Sequence, residues 1–179
     1  MASNDVPTLK VEDNSGRLTV LGPEVIRECK VLAKAAFYSD TSEVCPIQVD
    51  PEVLDLVIEF SMLFKDEPDY TTIKGTPIDA PEWDTSPAMQ FFTRFDNNEI
   101  FWLMKTLDYL QAQRFIDHAV FYICRQTQGM SDQEKLVFFG LAGDQPEEPS
   151  PEISQANLGK GITAMIRSFI KSEKLIVHY

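Results

Sequence analysis

Along TLKVEDNSGRLTVL, apolar and polar residues alternate on either side of Asn14-Ser15-Gly16. This predicts a β-hairpin in which Leu9 and Val11 mark one face, repeated after the turn by Leu18 and Val20. The period then changes. In PEVIRECKVLAKAAF, Val25/Ile26, Cys29, Leu32/Ala33 and Ala36 recur at helical spacing behind a proline suited to a first turn, so a single helix is expected. CPIQVD puts Ile47 and Val49 on one side of a short strand, and Asp50 before Pro51 has the form of a capped helix start. The stripe of that helix is Val53/Leu54, Val57/Ile58 and Met62.

From Lys65 to Asp84 no apolar period survives; Pro68, Pro77 and Pro81 stand among acids and threonines. A long loop is expected, mobile for most of its length, with Trp83 anchoring into the core. DNNEIFWLMKTLDYLQ then returns to helical spacing, and Ile100, Leu103, Met104, Leu107 and Leu110 gather on one side as a core stripe. Phe101, Trp102 and Tyr109 are left over. Two readings stand: neighbouring helices or the chain's tail cover these rings, or part of the surface meets another protein.

RFIDHAVFYICRQTQG carries a buried stripe of Phe115/Ile116, Ala119/Val120 and Ile123/Cys124, with Gly129 as a stop. Ser131 and Glu134 have capping-box spacing, which predicts a short helix ending near Gly140. Beyond the connector DQPEEPSPE, Ser150-Pro151 has the form of a helix start running through Ile153 and Leu158. GKGITAMIRSFIKSEKLIVHY then sets Ile162, Met165/Ile166 and Phe169/Ile170 against Lys160, Arg167, Lys171 and Lys174. This tail is locally basic.

A chain of 179 residues suits one main domain with an extension. No apolar run is long enough to span a bilayer, and MASNDVPTLK lacks the pattern of a secretory signal, so an intracellular protein is expected. Cys29, Cys45 and Cys124 are odd in number and widely spaced, which suits buried reduced thiols. The net charge of −12 argues against nucleic acid; it fits either a partner with a basic surface or simple solubility.

Catalytic chemistry has no evident cast. His118 and His178 have no metal-ligand spacing, and His118 is expected at the surface or its boundary. The glycines of GLAGD and GKG lack the Lys-Ser/Thr of a phosphate loop, and no serine sits in G-x-S-x-G. The carboxylates fall largely in loops, where solvation gives ordinary pKa values. No enzyme, metal or cofactor is expected.

The order of these blocks resembles a family. The strand-strand-helix-strand-helix opening, VIEF followed by KDEP, an acidic loop ending in PEWD, then FDNNEIFWLMKTLDYL, RFIDHAVFYI and SDQEKLVFFGL are similar to the S-phase kinase-associated adaptor family, from about Thr8 to about Ile153. The resemblance implies an α+β chain. Residues 1–128 would form a BTB/POZ fold, a small β-sheet packed with a helical cluster and carrying a mobile acidic loop near 66–82. Residues 129–179 would form a C-terminal helical extension, of F-box-binding type to about 153 and divergent and basic after it. The implied function is that of a non-catalytic adaptor in an SCF-type ubiquitin ligase, linking an F-box protein to a cullin in cytoplasm and nucleus. No membrane partner is implied, and self-association is a further expectation.

By the same resemblance, Ile100, Phe101, Ile116, Val120, Ile123, Phe138 and Phe139 would form the F-box surface, and Asp108 with Tyr109 the cullin-facing end of the central helix. The chain departs from the family at three places. Asp108 stands where the family has asparagine, so an amide donor becomes an acceptor-only carboxylate. Trp102 and Lys105 stand where the family has glutamate and aliphatic residues, and the basic tail replaces an acidic helix and Asn-x-Trp. The Asp108 change and the altered tail favour a second reading: a structural or assembly component that keeps F-box binding or self-association without the cullin.

Overall fold

A computed structural model describes residues 8–38, 43–72 and 85–139. Within them the chain is mixed α and β, with a three-stranded sheet and seven helices. The expected Trp83 anchor, the acidic connector, the Ser150-Pro151 helix and the basic tail lie outside the described residues.

β1 (Leu9–Glu12) and β2 (Leu18–Leu21) form the expected hairpin, and β3 (Val44–Pro46) lies parallel to β1 on its other side, giving the order β2-β1-β3. The turn is organised by Asp13. Its carboxylate accepts from the Ser15 amide at 3.0 Å, the Ser15 hydroxyl at 2.7 Å, the Arg17 amide at 3.1 Å and Arg17 Nε at 2.9 Å, while Gly16 takes φ +81°. The hydroxyl of Ser15, then Arg17 and the two amides, hold Asp13 below the ordinary carboxylate range against the effect of its burial. The hairpin faces differ from expectation in the second strand. Leu9 and Val11 point inward, but the register Leu9↔Leu21 and Val11↔Thr19 turns Thr19 and Leu21 inward and Leu18 and Val20 outward. The turn supplies an offset of one residue that alternation alone does not reveal.

The helix expected after the hairpin is two: α1 (Pro23–Glu28) and α2 (Lys30–Tyr38), broken where Cys29 becomes extended at φ −119°, ψ 105°. Cys29 stays in the core, so one stripe serves both. The strand of CPIQVD is shorter than expected, ending at Pro46, although Ile47 and Val49 are both buried. α3 (Pro51–Met62) starts after Asp50 as predicted, but the Asp50 side chain accepts from Asn14 Nδ2 at 3.0 Å instead of capping. Phe60 takes the inward place expected of Met62, which is exposed. A further helix, α4 (Pro87–Phe92), is capped by Ser86, whose hydroxyl accepts from the Met89 amide at 3.2 Å.

α5 (Asn97–Leu110) and α6 (Gln113–Gln126) pack on one another around Gln111, a non-glycine residue in the left-handed region at φ 54°. The core stripe of α5 is as expected: Ile100, Leu103, Met104, Leu107 and Leu110 are all buried. Phe60 lies at the centre of an aromatic cluster, stacked on Phe115 at 3.9 Å and edge-on to Phe91 at 5.2 Å. His118 belongs to this cluster and not to the surface. It is buried against the rings of Phe60 and Phe64, with Nδ1 2.8 Å from the Arg114 carbonyl, and burial lowers its pKa.

Two arginines tie the segment after α3 to the body. Arg27 donates to the carbonyls of Phe64 and Glu67; Arg114 donates to the Glu67 carboxylate at 2.9 Å and the Pro68 carbonyl at 2.8 Å. The hydroxyl of Tyr70 donates to Asp117 at 2.7 Å, adding a third tie. Beneath them Arg114 Nε lies 3.1 Å from Glu28, whose carboxyl is pushed up by burial against the pull of Arg114 and Arg27. Asp13 and Glu28 thus depart from the expectation of solvated carboxylates with ordinary pKa values. The thiols of Cys29 and Cys124 are buried, that of Cys45 is half-buried, and burial pushes Cys29 up to about 12.

α7 (Asp132–Phe138) opens with the expected capping box: the Ser131 hydroxyl accepts from the Glu134 amide at 3.3 Å, and Glu134 accepts from the Ser131 amide at 2.6 Å. Ser131→Ala should cost this helix about 1 kcal/mol. The check is amide exchange, faster in α7 alone; an unaltered rate there would show that the cap does not hold the helix.

Candidate interaction surface

α7 and its C-cap read DQEKLVFF, and four consecutive apolar side chains on so short a helix cannot all face one way. They divide. Phe138 and Phe139 are half-buried and rest on the core, their rings 5.2 Å apart and nearly perpendicular. Leu136 and Val137 point outward, 38% and 62% exposed. Phe101, from the first turns of α5, reaches Phe139 at 5.8 Å between ring centroids. Three residues from two elements therefore form an aromatic seat under an aliphatic ridge.

The other residues expected here separate by depth. Ile116 and Val120 lie one turn apart on α6 and are half-buried against the core. Ile100 and Ile123 are each only 1% exposed, so in this chain alone they belong to the core, beneath the surface. The reason is helical phase: Ile100 falls on the α5 core stripe with Leu103 and Leu107, and Ile123 on that of α6 with Ala119. Leu136 and Val137 were not among the sequence candidates. The uninterrupted apolar run LVFF would have pointed to them, since four consecutive positions cannot all face the core.

At the far end of α5, Asp108 is half-buried and Tyr109 is 40% exposed. The Tyr109 hydroxyl accepts from the Gln48 amide just after β3 at 3.5 Å, which ties this end of the helix to the sheet. Trp102, seven residues earlier and on the same side of α5, is 43% exposed. Two of the three surplus rings of the sequence, Trp102 and Tyr109, thus remain partly open to solvent.

Among the described residues no group of His, Cys, Asp or Glu is arranged to hold a metal ion, and no helix is long and apolar enough to cross a membrane. In the wall of the arginine-lined cleft of about 310 Å³ between α1, residues 69–72 and the α5–α6 corner, Arg27 and Arg114 are engaged by carbonyls and carboxylates. What the surface offers is contact area. No family model matches the sequence, and no curated protein matches it.

Proposed function

We propose that this chain is a non-catalytic adaptor of SCF type, with a BTB/POZ fold of the S-phase kinase-associated family, that holds an F-box protein on α5–α7 and a cullin at the Tyr109 end of α5. The observation that carries this reading is the aliphatic ridge of Leu136 and Val137 over the seat of Phe101, Phe138 and Phe139. Exposed aliphatic residues backed by packed aromatic rings suit an amphipathic helix laid across them. The order and spacing of the sequence blocks support the same reading. Its mechanism is geometric: joining two surfaces in one body raises the effective concentration of substrate near the transferred ubiquitin.

Asp108 supports a second reading, an assembly component without cullin. Where a partner presents an acceptor to the asparagine amide, this carboxylate has no proton to give and adds like charge. Reconstitution with an F-box protein and a cullin N-terminal domain, followed by size-exclusion chromatography, separates the two. A ternary peak supports the adaptor; an F-box binary complex or a self-dimer without cullin supports the assembly component, and a monomer that forms neither complex would sink both. Asp108→Asn is expected to tighten cullin binding several-fold by surface plasmon resonance. An unchanged affinity would place the determinant elsewhere.

A further inference from the structure

The aliphatic ridge of α7 has an acidic border. Leu136 and Val137 stand exposed over the rings of Phe101, Phe138 and Phe139. The two helices that build this seat both start among carboxylates: Asp96 and Glu99 at α5, Asp132 and Glu134 at α7, all four exposed. Bonds with backbone amides hold Asp96, Glu99 and Glu134 in place. On α7 itself Lys135 is the one basic residue. A helix laid on this strip is therefore favoured if it is apolar on one side and basic beside it.

Residues 159–179 have that composition. Ile162, Met165, Ile166, Phe169 and Ile170 recur at helical spacing, and Lys160, Arg167, Lys171 and Lys174 accompany them against a single acid, Glu173. We propose that this segment is an intramolecular competitor of the F-box motif: as an amphipathic helix it lays its apolar stripe on Leu136 and Val137, with its basic residues beside the acids of α5 and α7. This role rests on the reading of α5–α7 as an F-box seat and adds a regulator to it.

Reach is no obstacle. Residues 140–161 join Phe139 to Ile162, roughly 75 Å if fully extended, and the ridge lies within one turn of Phe139. DQPEEPSPE, with four acids, three prolines and no basic residue, suits neither the ridge nor its border and serves as tether. A tethered segment meets the ridge at an effective concentration on the order of 1 mM, so a contact of roughly 200 μM intrinsic affinity closes it most of the time. An F-box motif must displace the segment, which lowers its apparent affinity about fivefold. Salt weakens the ionic border and relieves part of this.

Hydrogen exchange of the full chain, with no partner present, is the first readout. I166E/I170E puts two carboxylates into the apolar stripe; exchange in α7 should rise about fivefold with the sheet unchanged, and a synthetic peptide of residues 159–179 at millimolar concentration should slow it again. R167E/K171E spares the stripe, reverses two charges and should act in the same direction at low salt. Circular dichroism with thermal melting checks that each variant folds. In fluorescence anisotropy with a labelled F-box helix, I166E/I170E should bind about fivefold tighter than wild type. Equal exchange in α7 of wild type and a folded variant overturns the proposal, whether or not an F-box motif binds. So does a peptide that leaves exchange unchanged, or faster exchange with unaltered F-box affinity, since the segment would then not compete. Faster exchange in a chain that binds no F-box motif in either form supports the segment on α7 and removes the F-box reading instead.

Discussion

Arg114→Ala is expected to lower the stability of the fold by about 3–5 kcal/mol, the cost of breaking a buried ion pair by removing one partner. Arg114 is 3% exposed, and the Glu28 side chain facing it at 3.1 Å is 7% exposed. The lost contact with Glu67 contributes little, because that carboxylate is largely solvated. The larger penalty is what remains: Glu28 ionised in a buried place with only Arg27, 3.4 Å away, to offset it. The guanidinium also packs 4.4 Å from the centre of the Phe64 ring and donates to the Pro68 carbonyl, so the segment after α3 keeps only the Tyr70–Asp117 hydrogen bond of its described side-chain ties to α6.

The sign of the pH effect follows. Burial raises the folded pKa of Glu28 above its ordinary value of 4.5 against the pull of Arg114 and Arg27, so the folded chain holds this proton more tightly than the unfolded one. Its stabilising contribution is complete below the unfolded value and is lost as pH rises through the folded one. Removing Arg114 withdraws a charge that holds this pKa down. The deficit of the variant should therefore be largest at neutral pH and narrow in acid, and Glu28→Gln should recover part of it at neutral pH. Urea unfolding at several pH values is the check. A loss of less than about 1 kcal/mol, equal at all pH, would mean that the pair contributes no net stability.

Val137→Glu is expected to leave the fold intact and weaken F-box binding by roughly 100-fold, about 2–3 kcal/mol. The side chain is 62% exposed, so the free protein solvates a carboxylate there without strain. Docking of a helix would strip that solvation and offer no partner. Ile100 stands in contrast: it is sealed in the core, and a charge there would unfold the chain without testing binding at all. Fluorescence anisotropy with a labelled F-box helix reads the effect. Equal affinity in a folded variant would remove α7 from the interface.

Helical phase made much of the fold legible. The five buried positions of α5 and the Ser131 capping box followed from spacing and cap chemistry, and the start of α3 from a proline at its first position, although Asp50 makes no cap bond. What alternation could not show was the one-residue offset in β2, because the hairpin turn fixes it through the hydrogen bonds of Asp13. The break at Cys29 was hidden for a related reason: an extended residue that stays in the core leaves the apolar stripe uninterrupted. α4 was missed although Ser86-Pro87 carries a start signal, since six residues give too short a window for periodicity.

Depth divided the candidate surface in a way that residue type does not announce. Phe101 and Ile100 are neighbours in sequence and both apolar, yet one reaches the Phe139 ring and the other the core. His118 was misplaced because the Phe60 and Phe64 rings that bury it come from α3 and the turn after it, far away in the chain. Long-range partners of this kind are absent from local pattern.

The central claim is that α5–α7 form a seat for an F-box motif. Isothermal titration calorimetry of the full chain against a panel of isolated F-box motifs tests it most directly. At least one motif should bind at submicromolar concentration, one to one, with a negative heat-capacity change from apolar burial. No heat of binding from any motif, with a folded chain and folded ligands at tens of micromolar, would contradict the account.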